Sequence, residues 1–153
     1  MGRATVWCAL FFVLLCFTSA TLPATTPAET EDALGRAKAF VYSKFADGSW
    51  EKAPEQNLKS RDNTIGSQWG GQTALAAYAL LAAGENPNAQ PKLADAVAFL
   101  KQAKLTGTYA LGIRCLVWAR LPQTPEVKAL MKQDAATLRA LMKTQGPAKG
   151  FYD

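Results

Sequence analysis

The chain of 153 residues contains no histidine. That removes the side chain most often used as an acid or base near neutral pH, and with it the commonest zinc ligand. Cysteine is scarce, with three residues. Two of them, Cys8 and Cys16, fall in a segment that export would remove, so Cys115 is left alone and no intramolecular disulfide is available. Stability then has to come from packing. Charge runs are missing too: 17 Lys and Arg against 12 Asp and Glu give a net charge of +5, scattered rather than gathered into the basic stripe that nucleic acid requires. No nucleic-acid partner, no metal and no cofactor are expected from this composition.

What the sequence has in quantity is apolar helix. Trp69 to Ala83, Trp-Gly-Gly-Gln-Thr-Ala-Leu-Ala-Ala-Tyr-Ala-Leu-Leu-Ala-Ala, has almost no polar face, and such a helix must be wrapped by others. The expected fold class is all-α. Tyr109 to Leu121 is a second apolar segment, with Arg114 its one awkward charge. Cys115 lies in that segment and reads as a buried, inert thiol rather than a nucleophile.

Three amphipathic segments alternate with these two. The first carries Leu34, Ala37, Val41 and Phe45 at helical spacing to about Ala46, behind a capping box at Thr26-Pro27-Ala28-Glu29. The second opens at Pro91 with Leu93, Val97 and Leu100 in one stripe. The third starts at Thr124-Pro125-Glu126 and runs to about Lys143 through Val127, Leu130, Met131, Leu138 and Leu141. The order is outer, inner, outer, inner, outer. An echo supports a repeat: Asp47-Gly48-Ser49-Trp50, Thr106-Gly107-Thr108-Tyr109 and Lys149-Gly150-Phe151-Tyr152 each set a glycine two residues ahead of an aromatic after an outer helix.

At the N-terminus, Met1 to Ala20 has Arg3, an unbroken apolar run from Val6 to Phe17, and Thr18-Ser19-Ala20. This is the form of a secretory signal peptide, so the expected organisation is a signal peptide over 1–20, a Thr/Pro/Ala-rich linker over 21–30 and a helical domain over 31–153. The alternative is a membrane anchor over residues 4–20, a stretch close to the shortest that spans a bilayer.

Asp47-Gly48-Ser49-Trp50 followed by Gly71-Gln72-Thr73-Ala74-Leu75-Ala76-Ala77-Tyr78-Ala79-Leu80-Leu81 resembles the repeat of the prenyltransferase and squalene-cyclase superfamily. The resemblance extends from Glu31 to Asp153 and is nearest to the toroid segments of exported bacterial proteins. It implies helical hairpins stacked into a partial α/α toroid of about two and a half hairpins, either an incomplete gene product or a half-shell that closes against another chain, by self-association or with a second toroid-forming chain. It also implies a possible enzyme acting on an isoprenoid lipid. The chain departs from the family's chemistry, however: it has no run of aspartates to start a carbocation cascade and no histidine for a zinc site. No catalytic residue is therefore assigned.

Candidate ligand contacts concentrate in the polar stretch between the first outer and first inner helix. Asp47, Trp50, Glu51, Arg61, Asp62, Gln68 and Trp69 combine aromatic and carboxylate groups that suit a carbohydrate or a peptide; the competing reading is a solvated insertion whose tryptophans seal the first hairpin. Paired carboxylates there would serve a carbohydrate-active protein. Arg114 either faces a cavity and holds an anion or pairs with helix-end carbonyls or with an acid such as Asp62 or Asp153. Tyr78, Tyr109 and Trp118 could line a cavity for an apolar ligand, although aromatic stripes more commonly form core. The expected function is a non-catalytic, exported binding or scaffold module.

Overall fold

The computed structural model describes residues 26–52 and 68–152. The expected signal segment, the first half of the linker (21–25), and Arg61 and Asp62 lie outside them, while the second half of the linker is no linker: Thr26 caps the first helix and 27–30 form its first turn. Among the described residues there are five helices and no strand: α1 (Pro27–Ser43), α2 (Gly71–Ala82), α3 (Pro91–Gln102), α4 (Thr108–Arg120) and α5 (Pro125–Leu141). None is long and apolar enough to cross a membrane.

Local chemistry sets the ends of these helices. The Thr26 hydroxyl accepts the Glu29 N–H (3.2 Å) while the Glu29 carboxylate accepts the Thr26 N–H (2.8 Å), the reciprocal pair of a capping box. Those bonds hold the Glu29 carboxyl below its usual range. Proline opens α1, α3 and α5, where its missing N–H would be unpaired in any case. The helix α2 instead begins at Gly70 in the left-handed region (φ 84°). The backbone conformation there calls for glycine, and a β-carbon, 2.2 Å from Leu105 Cδ2, would also push that side-chain end aside.

The two apolar helices form the centre. Gly71 of α2 lies against the Tyr109 ring and Ala110 of α4, and the Arg120 guanidinium near the other end of α4 stacks on Tyr78 of α2 at 5.6 Å from the ring centroid. With contacts at both ends in the same order, α2 and α4 run parallel, side by side. Their burial follows one pattern. Thr73, Ala74, Ala77 and Leu80 are buried in α2, as are Ala110, Leu111, Arg114 and Val117 at the matching places in α4. The outer helices α3 and α5 bring Leu93, Ala96, Val97, Leu100 and Val127 into the same core, which Trp50 and Trp118 complete.

The glycine echo holds only in part. Gly48 and Gly150 adopt φ of 77° and 87°, as sharp turns need, but Gly107 is the N-cap of α4 at φ −82° and turns nothing that another residue could not. The three aromatics also differ: Trp50 is buried, whereas Tyr109 and Tyr152 are exposed.

The helix α1 buries no side chain fully. Val41, Tyr42 and Phe45 rest half-buried on the core, and a polar clasp adds to them. The Tyr42 hydroxyl donates to Glu85 Oε2 (3.2 Å), Lys38 Nζ pairs with Glu85 Oε1 (2.8 Å), and Lys92 Nζ donates to the Tyr42 carbonyl (3.2 Å). Burial, the Glu85 charge and the bond to Glu85 push the Tyr42 phenol up to about 12. Because the folded protein holds this proton more tightly than the unfolded chain, the associated stability is intact below the ordinary tyrosine value near ~10 and is lost as pH rises toward 12. Unfolding titrations of wild type and Tyr42→Phe at pH 8 and at pH 11 are expected to show a smaller alkaline loss for the variant, which has no phenol to ionise.

Candidate functional site

The polar stretch between α1 and α2 begins with a tight turn. Asp47 is exposed and left-handed (φ 50°), a conformation that aspartate tolerates better than most residues. Ala46 and Ser49 exchange two backbone hydrogen bonds of 3.0 Å across it. The turn reverses the chain so that Trp50 points inward.

Trp50 is 7% exposed. Its indole N–H donates to the Val41 carbonyl (2.7 Å), and its ring meets Phe45 edge-on at 4.7 Å and Tyr42 at 6.3 Å. The ring is spent on holding α1. Glu51 is equally engaged: one oxygen, Oε1, accepts both the Thr73 N–H (2.8 Å) and the Thr73 hydroxyl (2.9 Å). Thr73 in turn accepts the Trp50 N–H (3.0 Å). Since Gly70 has no side chain to cap α2, Glu51 supplies the missing acceptor, with its negative charge at the positive end of the helix dipole. Glu51→Ala is expected to lower stability by about 1 kcal/mol, in the range of a lost N-cap, and Glu51→Gln by less; urea unfolding of both variants checks this.

The other described candidates are apart from one another in role. Gln68 is exposed, and its carbonyl accepts the Gly71 N–H (2.9 Å). Trp69 is half-buried and packs edge-on against Phe99 of α3 at 5.3 Å. The described part of the stretch therefore closes the end of the first hairpin.

Arg114 lies elsewhere, between α3, α4 and α5, and is 8% exposed. Nε and Nη2 donate to the two oxygens of Asp134 at 2.8 and 2.5 Å, a bidentate fork, and Nη1 donates to the carbonyls of Leu100 (3.0 Å) and Ala103 (2.6 Å). The Trp118 indole N–H completes the cluster by donating to Asp134 Oδ2 (2.8 Å). The expected helix-end carbonyls are present. The acid, however, is Asp134; Asp62 and Asp153 lie outside the described residues. Sequence reading passed over Asp134 although a signal existed: it falls on the apolar stripe of α5, seven residues after Val127 and four before Leu138, where a solvated carboxylate has no place.

A cleft of about 260 Å³ opens beside this cluster, lined by Lys101, Lys104, Leu111, Leu130, Gln133 and Thr137 among others. Lys101 is paired with Glu126 (2.8 Å). The bridge and the carbonyls already take four of the five N–H groups of Arg114, so its charge is used inside the protein. Burial, and then the charge of Asp134, push the neighbouring Cys115 thiol up from its usual value, which makes it a poor nucleophile.

Among the described residues, every buried side-chain nitrogen and oxygen has a hydrogen-bond partner, and no three His, Cys, Asp or Glu residues gather as a metal site would require. The feature left open is apolar. Leu75, Tyr109 and Leu116 of α2 and α4 are 46%, 46% and 43% exposed, and Phe40, Phe151 and Tyr152 are exposed elsewhere, at 63%, 68% and 47%. No family model, no curated protein and no solved structure matches the chain.

Proposed function

We propose that this protein is an exported binding or scaffold module without chemistry of its own, a partial α/α toroid that docks its occupant on the open side of α2 and α4. One observation carries the reading. The two most apolar helices turn Leu75, Tyr109 and Leu116 to solvent, and large apolar side chains exposed on neighbouring helices mark an interaction site. The loop candidates add support by their occupation elsewhere, Trp50 in the core and Glu51 on the end of α2. The resemblance to toroid repeats agrees, because the inner helices of such a stack face its shared interior.

The test uses dilute protein and an anilinonaphthalene sulfonate dye, whose emission rises on apolar surface. Wild type is expected to bind the dye, and Leu75→Glu/Leu116→Glu to lose most of the signal while its circular-dichroism melt persists. Wild type without dye binding, or the double variant with the signal undiminished, would refute the reading. Export is checked separately by the mass of the protein recovered outside the cytoplasm, which should begin at Thr21.

A further inference from the structure

We infer that the solvent face of α5, with the turn that follows it, docks on an anionic lipid surface, its cations meeting the phosphate headgroups of a bilayer. This surface is separate from the open side of α2 and α4 and does not depend on it.

Charge divides along the chain. Residues 26–100 carry seven Lys and Arg against nine Asp and Glu, whereas residues 101–153 carry nine against three. Pairing inside the fold sharpens the difference. The two acids of the basic part that lie among the described residues are both taken, Asp134 by the buried Arg114 and Glu126 by Lys101. Lys104, Lys128, Lys132, Arg139 and Lys149 are exposed and make no ion pair among the described residues. These cations look scattered along the sequence, but the fold leaves them without a counter-charge of the protein's own.

Three of them form a row. Lys128, Lys132 and Arg139 stand at i, i+4 and i+11 of α5, so at about 100° per residue they share a sector of about 40°. With a rise of about 1.5 Å per residue, the row is about 16 Å long. It lies on the side of the helix opposite the buried Val127 and Asp134. The other residue of that sector between Lys128 and Arg139 is Ala135, small and exposed, and no acid interrupts the row. A straight, convex line of cations on one helix face is complementary to a flat anionic surface, which attracts each Lys or Arg brought near it.

The end of α5 adds a second feature. The Lys143 N–H donates to the Phe151 carbonyl (2.9 Å) and the Gly150 N–H to the Lys143 carbonyl (2.8 Å). These bonds fold the chain back beside the end of the helix and keep Lys149, Phe151 and Tyr152 there, both rings exposed. Aromatic rings beside cations suit the headgroup zone of a bilayer, where the ring is half in lipid and half in water. Nucleic acid fits the same charges less well. The helix α5 has no aromatic side chain on which the bases of a single strand could stack, and a duplex offers phosphates to the cations but nothing to Phe151 and Tyr152.

The experiment is a binding titration of the full chain, its N-terminus defined by mass spectrometry, with two kinds of vesicle: phosphatidylcholine alone, and phosphatidylcholine with about one-third phosphatidylglycerol. The neutral vesicles are the reference, so that any partition of the apolar run from Val6 to Phe17 enters both titrations alike. Wild type is expected to bind the anionic vesicles far more tightly, with the preference falling at high salt. Lys128→Gln/Lys132→Gln/Arg139→Gln, whose glutamines keep the helix propensity, should weaken anionic binding on the order of 100-fold. Arg36→Gln/Lys44→Gln/Lys52→Gln removes the same charge from the other half of the chain and should leave binding nearly unchanged. Circular-dichroism melts confirm that both variants fold. Equal binding of wild type to the two vesicles, or equal weakening by the two triple variants, would overturn the inference. Displacement of the protein from anionic vesicles by duplex DNA at equal phosphate would overturn it too, and would reassign the row to nucleic acid.

Discussion

Asp134→Ala is expected to destabilise the fold by about 3–5 kcal/mol, the range for removing one partner of a buried ion pair. The size follows from what the substitution strands. Arg114 cannot discharge itself, since a guanidinium stays protonated, and with Asp134 gone its Nε and one Nη2 hydrogen point at a carboxylate that no longer exists, as does the Trp118 indole N–H. The two carbonyls of Leu100 and Ala103 remain as acceptors but bring no negative charge. Asp134→Asn should recover part of the loss, because its amide oxygen still accepts one of these donors. Replacing Arg114 and Asp134 together by Met and Leu should be milder than Asp134→Ala because no charge is left buried, but still destabilising, because the Trp118 indole N–H and the Leu100 carbonyl then lose their partners. Guanidinium unfolding of the four proteins checks the order. A loss under about 1 kcal/mol for Asp134→Ala would show that water reaches Arg114 through the adjacent cleft.

Trp50→Ala should also cost about 3–5 kcal/mol, as truncation of a buried aromatic generally does, but with a different distribution. Trp118 is fully buried at the centre, so its loss would loosen the whole body. Trp50 is the main apolar fastening of α1, which buries no side chain of its own, and the indole also ties back to the Val41 carbonyl. Without it, α1 retains Phe45, Val41 and the Tyr42–Glu85–Lys38 clasp. Hydrogen exchange should therefore show α1 amides losing protection in Trp50→Ala while α4 amides keep most of theirs. Equal loss in α1 and α4 would mean that α1 unfolds only with the rest.

The fold was legible where its signals are local. Proline and threonine at helix starts, the capping box at Thr26 and the stripes of Leu93, Val97 and Leu100 placed the helices nearly where they stand, because capping and periodicity act within a few residues. The starting point of α2 was less apparent. It depends on Gly70 fitting against Leu105 and on Glu51 reaching Thr73, both contacts between residues distant in sequence. The Arg114 cluster shows the same division: that a charge in an apolar helix needs partners follows from elementary electrostatics, but the identity of Asp134 follows from how α4 and α5 are rotated toward each other. For the aromatic loop residues the sequence leaves a ligand site and a hairpin seal both open. Trp50 and Glu51 have the composition of a sugar site, and composition carries no information about direction; the turn at Asp47 and Gly48 points Trp50 inward.

The connections between α2 and α3, α3 and α4, and α4 and α5 are short, and the central helices α2 and α4 pack on each other across the one helix, α3, that separates them in the chain. Each such contact therefore needs only one helix and its two connections to be in place before it forms. After Glu51 closes onto Thr73 across the polar stretch, each later hairpin can be laid down on the one before it, in the order in which the chain emerges from a ribosome. A protein assembled in this way is expected to fold quickly, and to expose its unfinished edge to other chains only briefly.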